Sequence, residues 1–208
     1  MRGPAPDVVA TAALVRAEAV GSADWADLAD RASRCTACPE LAASRIHVVV
    51  GEAPPGARVL LLGEAPGAQE DETGRPFVGK AGRLLDRLLD DVGLARAEVA
   101  VVNVLKCRPP ANRAPTRDEG TRCRGWLDRQ LALADPCVVV AMGLSAVTAL
   151  LGRVGTLAAA RAVGVHELDG RSVLATYHPS AAIRFGPRGA PLAALREDLA
   201  RARELATF

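Results

Sequence analysis

Four cysteines have the residue type and the spacing of metal ligands. Cys35 and Cys38 form a C-x-x-C pair, and Cys107 and Cys123 follow much later, separated from each other by fifteen residues. Four thiolates can hold a tetrahedral zinc ion or a [4Fe–4S] cluster. The spacing does not fit a zinc ribbon, and the residues alone do not choose between zinc and a cluster. A third alternative is that the four cysteines are unrelated buried thiols. Cys137 opens an apolar run and is predicted to lie in the core.

A glycine- and acid-rich stretch, GEAPGAQEDETGRPFVGKAG (63–82), follows the apolar run 57–62. Its glycines let backbone N–H groups approach a ligand closely. Glu64 and Glu70 supply carboxylates, and Phe77 offers a face on which a flat ring can stack. The stretch lacks G-x-x-x-x-G-K-[ST], and its acids would repel a phosphate, so a phosphate-binding loop is disfavoured. The alternative is a solvated acidic loop with turn glycines.

Two further polar residues end apolar runs. Asn103 can both donate and accept hydrogen bonds, as reading the edge of a pyrimidine requires, although an asparagine here is also a common turn former. His178 precedes Pro179, which holds it in extended geometry, and it can donate to a developing anion. A lone histidine is otherwise structural, and we assign that role to His47 and His166.

The elements that must position these residues alternate between strands and helices. Apolar runs predict four strands over 57–64, 98–107, 137–143 and 171–179. Helical spacing or caps predict helices over 22–35, 81–94, 117–134 and 191–206. The alternation predicts an α/β fold, a three-layer α/β/α sandwich with a central, mostly parallel four-stranded sheet. Ligands of such sheets bind at the carboxyl ends of the strands. The polar residues above are therefore expected to converge.

Gly-Glu-Ala-Pro occurs twice, at 51–54 and at 63–66. The first copy is followed directly by another predicted strand. We therefore predict a tight hairpin turn there, joining HVVV (47–50) to RVLLL (58–62). The second copy opens into the acidic loop, so only Glu64, and not Glu52, is expected to do chemistry.

Length and composition suit a soluble protein. Residues 1–20 are expected to be flexible, and residues 21–208 to form a single domain, since the chain has only 208 residues. The net charge of +2 neither demands nor excludes nucleic acid. The N-terminus has no pattern of a signal peptide, and the longest apolar region, 137–152, is too short to span a bilayer. We expect a cytoplasmic, monomeric protein without a membrane partner, bacterial in type and associated with the nucleoid when acting.

Together these motifs resemble the family 4 uracil-DNA glycosylases, the iron–sulfur branch of the uracil glycosylase superfamily. The resemblance covers roughly residues 35–186. It is carried by CTACPEL, LLLGEAPGAQEDETGRPFVGKAGRLLDRLL, NVLKCRPPANRAPTRDE, CRGWL, VVVAMG and ATYHPSAAIR.

The resemblance implies a DNA glycosylase that flips uracil out of single- or double-stranded DNA and hydrolyses its N-glycosidic bond, which starts base excision repair. It implies a [4Fe–4S] cluster, rather than zinc, on Cys35, Cys38, Cys107 and Cys123. The implied catalytic residues are Glu64, Glu70, Asn103 and His178. The implied substrate-binding residues are Gly63, Ala65, Pro66, Gly67, Phe77, Asn112, Ser180 and Arg184.

The sequence also departs from related branches of the superfamily. Ala65 stands where other uracil glycosylases carry an aspartate that positions the water. Glu64 is therefore our first candidate for the water-activating group, and Glu70 the second. A branch that forms a covalent adduct uses a histidine of an Arg-Ile-His loop after the second strand. Here Arg45-Ile46-His47 precedes the first strand, so we predict ordinary turnover. The alternatives are a relative acting on another deaminated base, such as hypoxanthine, and a non-catalytic iron–sulfur DNA-binding protein.

Overall fold

The computed structural model describes residues 3–206 and has a five-stranded sheet at its centre. Its strands are β1 (Val59–Gly63), β2 (Val99–Asn103), β3 (Val138–Met142), β4 (Val165–Leu168) and β5 (Arg171–Thr176). The spatial order is β2-β1-β3-β5-β4, and all neighbours pair in parallel except β4 and β5. The predicted α/β fold with a mostly parallel sheet is confirmed.

The predicted number of four strands is wrong, because β4 was missed. It is an edge strand whose residues alternate between exposed and half-buried, so it shows no apolar run. A tight turn at Asp169-Gly170, with φ of 49° and 76°, joins it to β5 as an antiparallel hairpin. Asp-Gly is a hairpin signal, and here it marks the turn from β4 into β5.

Ten helices surround the sheet within the described residues. They are α1 (Pro6–Val20), α2 (Trp25–Ser33), α3 (Pro39–Ser44), α4 (Ala68–Thr73), α5 (Lys80–Val92), α6 (Arg117–Ala134), α7 (Leu144–Leu151), α8 (Leu157–Ala162), α9 (Pro179–Phe185) and α10 (Ala190–Ala206). Short 3-10 turns lie at Arg96–Glu98 and Pro110–Asn112. None of these helices is long and apolar enough to cross a membrane.

The sheet is covered on both faces, as the period-2 geometry of its strands requires. Alternate strand residues such as Leu60 and Leu62 pack with α6, α7 and α8. The residues between them, such as Leu61, pack with leucines of α5 and α10. Every residue of β1, β2 and β3 is buried. This burial on both faces explains why these strands are uninterrupted apolar runs.

We expected residues 1–20 to be flexible; residues 1 and 2 lie outside the described part of the chain, and Pro6–Val20 form helix α1. Its buried residues Val8, Val15 and Ala19 face the interior, and the helix lies along α6. Gly125 of α6 permits this contact, because a Cβ there would lie 2.7 Å from the Cα of Arg16. The segment is rich in alanine and valine on all sides, so its pattern showed no apolar stripe.

The first Gly-Glu-Ala-Pro copy does not lie in a hairpin with β1. Residues 47–50 form no strand; they run beside β2, where Val49 N–H donates to Lys106 O (2.7 Å) and Glu52 bridges Val101 in antiparallel fashion. Gly51 is required there, because a Cβ would lie 2.7 Å from Val101 O and its φ is +114°. The segment therefore covers the open edge of β2, as exposed sheet edges require.

Candidate active site and four-cysteine site

A cavity of about 240 Å³ lies at the carboxyl ends of β1, β2 and β5. Among the predicted site residues, the structure brings ten to its wall: Glu64, Ala65, Pro66, Gly67, Glu70, Phe77, Asn103, Asn112, His178 and Ser180. Gly63 lies directly behind the wall, and Arg184 lies outside it. The parallel strands account for this convergence, because their carboxyl ends meet at one edge of the sheet.

Gly63 allows two cavity side chains to meet the end of β1. A Cβ at this position would lie 2.3 Å from Asn103 Oδ1 and 2.5 Å from Phe77 Cζ. Gly63 and Asn103 are register partners in the sheet, so the asparagine side chain lies against the glycine. Phe77 has a φ of +53°, and Gly82 of α5 leaves room for its carbonyl. Glycines thus hold the ring and the amide side by side.

The Asn103 side chain carries an unused acceptor. Asn103 is only 2% exposed, and its Oδ1 has no hydrogen-bond partner within the described part of the chain. A buried polar atom without a partner costs about 1–3 kcal/mol, so such atoms are usually satisfied. The atom lines the cavity beside the Phe77 ring, which means that a flat ligand with an N–H on its edge would satisfy it.

Glu70 is fixed by the backbone around it. Its carboxylate accepts from the N–H groups of Gly67 (3.1 Å), Val78 (2.9 Å) and Gly79 (2.7 Å), and the side chain is buried. These bonds close the loop 67–79 on itself and satisfy the first N–H groups at two helix starts. The position defines Glu70 as a clamp that shapes the cavity wall.

His178 is a neutral hydrogen-bond donor in this fold. Its Nδ1 accepts from the Ser180 N–H (3.2 Å), which caps α9, and lies 2.8 Å from Ser180 Oγ. The ring proton therefore sits on Nε2. Burial lowers the pKa of His178 to about 4, against a smaller opposing effect of Glu70. The His178 ring stands 5.6 Å from the Phe77 ring, tilted by 37°.

Glu64 is oriented by a residue that sequence reasoning missed. Ser145 Oγ, in the first turn of α7, donates a hydrogen bond to Glu64 Oε2. Both side chains are half-buried. Ser145 belongs to no motif, yet it follows the carboxyl end of β3, which was a signal that could have been used.

Asn112 and Arg184 are the outermost of the predicted residues, Asn112 in the cavity wall and Arg184 outside it. Asn112 has a φ of +54° and accepts from Arg108 Nε at 2.7 Å. Arg184 is exposed in the last turn of α9. Arg113 is held by the buried Glu119 through two bonds, of 2.9 and 2.6 Å, so its charge is already paired. Arg108 and Arg184 form no ion pair within the described residues, which makes them candidates for phosphate contacts.

A larger cavity of about 780 Å³ lies between α1, α6 and α7. It is lined largely by small and apolar residues and by none of the predicted site residues. Ser145, which binds Glu64 of the smaller cavity, also lines this larger one. Size alone therefore does not locate the chemistry of this protein.

The four predicted ligand cysteines line one pocket. Cys35 and Cys38 come from the chain between α2 and α3, Cys107 follows β2, and Cys123 lies in α6. Leu41, Leu105 and Trp126 close the pocket with apolar surface. Cys137 lies elsewhere, with its Sγ 3.3 Å from Arg58 O. The described residues contain no group of three or more His, Cys, Asp or Glu side chains placed to hold a metal ion.

Two cations face these thiols. Arg45 NH1 lies 3.2 Å from Cys107 Sγ, and its NH2 donates to Cys35 O at 2.7 Å. Lys106 is fully buried and lines the same pocket. Burial raises the pKa of Cys38 and of Cys123 to about 12 and also raises that of Cys107. Burial lowers the pKa of Lys106 to about 8.

Comparison with known proteins places the chain in a family. The family model described as "Uracil DNA glycosylase superfamily" matches residues 50–200, and the chain belongs to that superfamily. The Type-4 uracil-DNA glycosylase of Thermotoga maritima is 42% identical over 158 residues, which cover 76% of this chain and 82% of that protein. That of Sulfurisphaera tokodaii is 38% identical, covering 78% and 76%. The Type-5 enzyme of Thermus thermophilus is 35% identical, covering 70% and 82%. Within the superfamily the chain is a member of the type-4 branch.

Proposed function

We propose that this protein is a uracil-DNA glycosylase that hydrolyses the bond between uracil and its deoxyribose and so starts base excision repair. The observation that carries the proposal is the partnerless, buried Asn103 Oδ1 beside the Phe77 ring. Uracil offers an N–H on its edge at N3 and a flat face. Cytosine has an acceptor at that position and would leave the Asn103 oxygen unpaired, which costs affinity. The type-4 relatives support the same substrate.

His178 takes the negative charge of the departing base. Breaking the glycosidic bond pushes electrons into the uracil ring, and the charge collects at O2 and N1. The neutral His178 donates from Nε2 to O2 without having to lose a proton, since its pKa lies near 4. Within the turn after β1, Pro66 has no N–H and the Gly67 N–H already binds Glu70. Ala65 is therefore the residue of this turn whose N–H can add to the stabilisation.

Glu64 acts on the sugar side of the bond. The deoxyribose becomes cation-like as uracil leaves, and a carboxylate nearby stabilises that charge and can take the proton of the attacking water. Ser145 holds Oε2 of Glu64, which leaves Oε1 for the water. Glu70 stays our second candidate, although its oxygens already accept three backbone N–H groups.

Turnover proceeds without a covalent bond to the sugar. Ala65, which cannot act as a base or nucleophile, lines the cavity. His47 does not line it, and its Nδ1 lies 2.7 Å from Asp71 O, on the outer side of α4. Uracil-containing DNA incubated with the protein and then denatured should yield no protein–DNA adduct. A stable adduct would contradict this part of the proposal.

The DNA approaches over the rim formed by α9 and the Pro110–Asn112 turn. Ser180 and the exposed Arg184 on α9 are proposed to meet the strand where the base leaves it, and Arg184 contributes a phosphate contact. Opening the stack costs a few kcal/mol, and least for a mispaired base. We propose a monomer in the cytoplasm, because one chain supplies the whole cavity and the thiols need a reducing compartment.

The chain's four clustered cysteines fit a [4Fe–4S] cluster, which would be held by Cys35, Cys38, Cys107 and Cys123 and would tie α2, α6 and the chain after β2 together. A thiolate-held cluster is anionic, and two cations, Arg45 and Lys106, face the pocket. Four thiolates could also hold zinc, so the metal content of the purified protein decides between the two groups.

Cysteine variants test the cluster. Cys123→Ser should lose the visible iron–sulfur absorbance of the protein purified without oxygen, and it should lower the melting temperature. Cys137→Ser is the matched control, because Cys137 lies outside the pocket, and it should keep both. Equal absorbance in the two variants, or zinc in place of iron in the purified protein, would contradict the assignment.

A base panel tests the activity. Oligonucleotides with a single uracil, thymine, hypoxanthine or xanthine, single- and double-stranded, are incubated with the loaded protein, and the released base is identified by chromatography. Uracil should be released, with thymine left in place. Release of hypoxanthine in preference to uracil would move the protein to another substrate, and DNA binding without any release would refute catalysis.

A further inference from the structure

Lys106 is the largest fully buried side chain of the protein. The sequence has only two lysines, at 80 and 106, among 26 basic residues, so arginine is strongly preferred elsewhere. Lysine is almost never fully buried unless it is paired. None of the ion pairs found among residues 3–206 includes Lys106. A buried ammonium without a counter-charge is costly, which calls for a reason to keep it.

One side of Lys106 faces the four-cysteine pocket. Its side chain lines the pocket, and its backbone N–H donates to the Cys123 sulfur. Cys107 is its neighbour in the chain. The negative charge that the four thiolates would bring in holding a cluster is thus a counter-charge beside this lysine.

The ammonium of Lys106 binds the backbone of a residue that lines the proposed uracil cavity. Lys106 Nζ donates a hydrogen bond to Asn103 O, which closes the turn that follows β2. Asn103 carries the partnerless Oδ1 that lines the cavity. One side chain therefore joins the two sites of the molecule, and it does so through the residue that reads the base.

We propose that Lys106 is a positioning residue that links the cysteine-held cluster to Asn103, so that the charge of the cluster holds the ammonium and the ammonium holds the Asn103 backbone. The proposal rests on the proposed function and on the cluster. An arginine is not equivalent to this lysine, because a guanidinium is larger and planar, whereas an ammonium is a compact point charge.

Two measurements on the loaded protein test the link: the midpoint potential of the cluster by voltammetry, and the single-turnover rate of uracil release. Lys106→Met removes the charge and the donor while keeping the length. We expect a more negative potential, because the reduced cluster loses a stabilising cation, and a rate lower by about tenfold. Lys80→Met is the matched control for the potential, since Lys80 is exposed, and it should leave the potential unchanged. If Lys106→Met fails to load, Lys106→Gln serves as the second neutral variant.

The Asn103→Ala background decides whether the two effects are linked. There, Lys106→Met should shift the potential as before but should add less than a twofold further loss of rate, because the side chain that Lys106 positions is gone. An equal further loss in that background, an unchanged potential, or a shifted potential with an undiminished rate would each overturn the link. A wild-type protein that releases no uracil would instead refute the proposed function, and the shift in potential would still report on the cluster side.

Discussion

Gly63→Ala tests the packing of Asn103 and Phe77, the two side chains that we propose contact the base. The new Cβ would lie 2.3 Å from Asn103 Oδ1 and 2.5 Å from Phe77 Cζ. Carbon atoms pack best at about 3.5 Å, so the contact with Phe77 is too short by about 1 Å. Neither neighbour is free to retreat, since Asn103 is buried at a strand end and Phe77 is fixed by its carbonyl against Gly82. The ring and the amide must therefore separate.

The expected size of the effect follows from the cost of overpacking. Extra methyl groups in well-packed interiors cost about 1–3 kcal/mol. If that cost falls on uracil recognition, the rate decreases by about 5- to 150-fold, at 1.36 kcal/mol for each factor of ten. The assay is single-turnover release of uracil from an oligonucleotide with one uracil, together with inhibition by free uracil, which should also weaken.

Gly120→Ala is the control for this variant. Gly120 lies in α6, and nothing stands within 4 Å of the Cβ it would gain. Alanine there should raise the stability by about 0.5–1 kcal/mol through helix propensity and leave the rate unchanged. A Gly63→Ala protein with the wild-type rate and wild-type inhibition by uracil would refute the proposed roles of Asn103 and Phe77.

Three further predictions concern Ser145, His178 and Glu70. Ser145→Ala should lower the rate by about tenfold but add nothing in a Glu64→Ala background, whereas Thr148→Val, one turn along α7, should have no effect; additive losses would contradict the positioning role. The pKa of His178 is lowered to about 4 in the folded protein, so the unfolded chain takes up this proton at a higher pH than the folded protein does. The wild type should therefore lose melting temperature relative to His178→Asn as the pH falls from 6.5 to 4, and a constant difference would contradict this. Glu70→Gln removes an acceptor oxygen from the loop 67–79 and should lower the melting temperature by about 2–8 °C. An unchanged melting temperature would contradict the proposed role of Glu70 in holding this loop.

Much of the site could be predicted from the sequence, for a topological reason. Asn103 and His178 are distant in the chain, but each follows an apolar run, and parallel strands bring their carboxyl ends together. The cysteines could be grouped because C-x-x-C is a strong local signal. The fold class followed from the same alternation of strands and helices.

What could not be predicted depends on packing rather than on pattern. Helix α1 lacks an apolar stripe, so its packing against Gly125 of α6 could not be predicted from its sequence pattern. Ser145 belongs to no motif, and only the folded chain brings its hydroxyl to Glu64. The burial of Lys106 could not be predicted either. A lysine beside a cysteine gives no signal of burial, because the elements that pack around it determine how exposed it is.

The two copies of Gly-Glu-Ala-Pro offer the most direct test of the account. Glu64 lines the cavity, whereas Glu52 pairs with Arg75 (3.0 Å) and Arg96 (3.4 Å) at the edge of the sheet. Single-turnover release of uracil is measured for wild type, Glu64→Ala and Glu52→Ala on one uracil-containing oligonucleotide. We expect rapid release by the wild type and by Glu52→Ala, and a loss of at least about 100-fold for Glu64→Ala. Equal losses in the two variants, or no release by the wild type, would contradict this expectation.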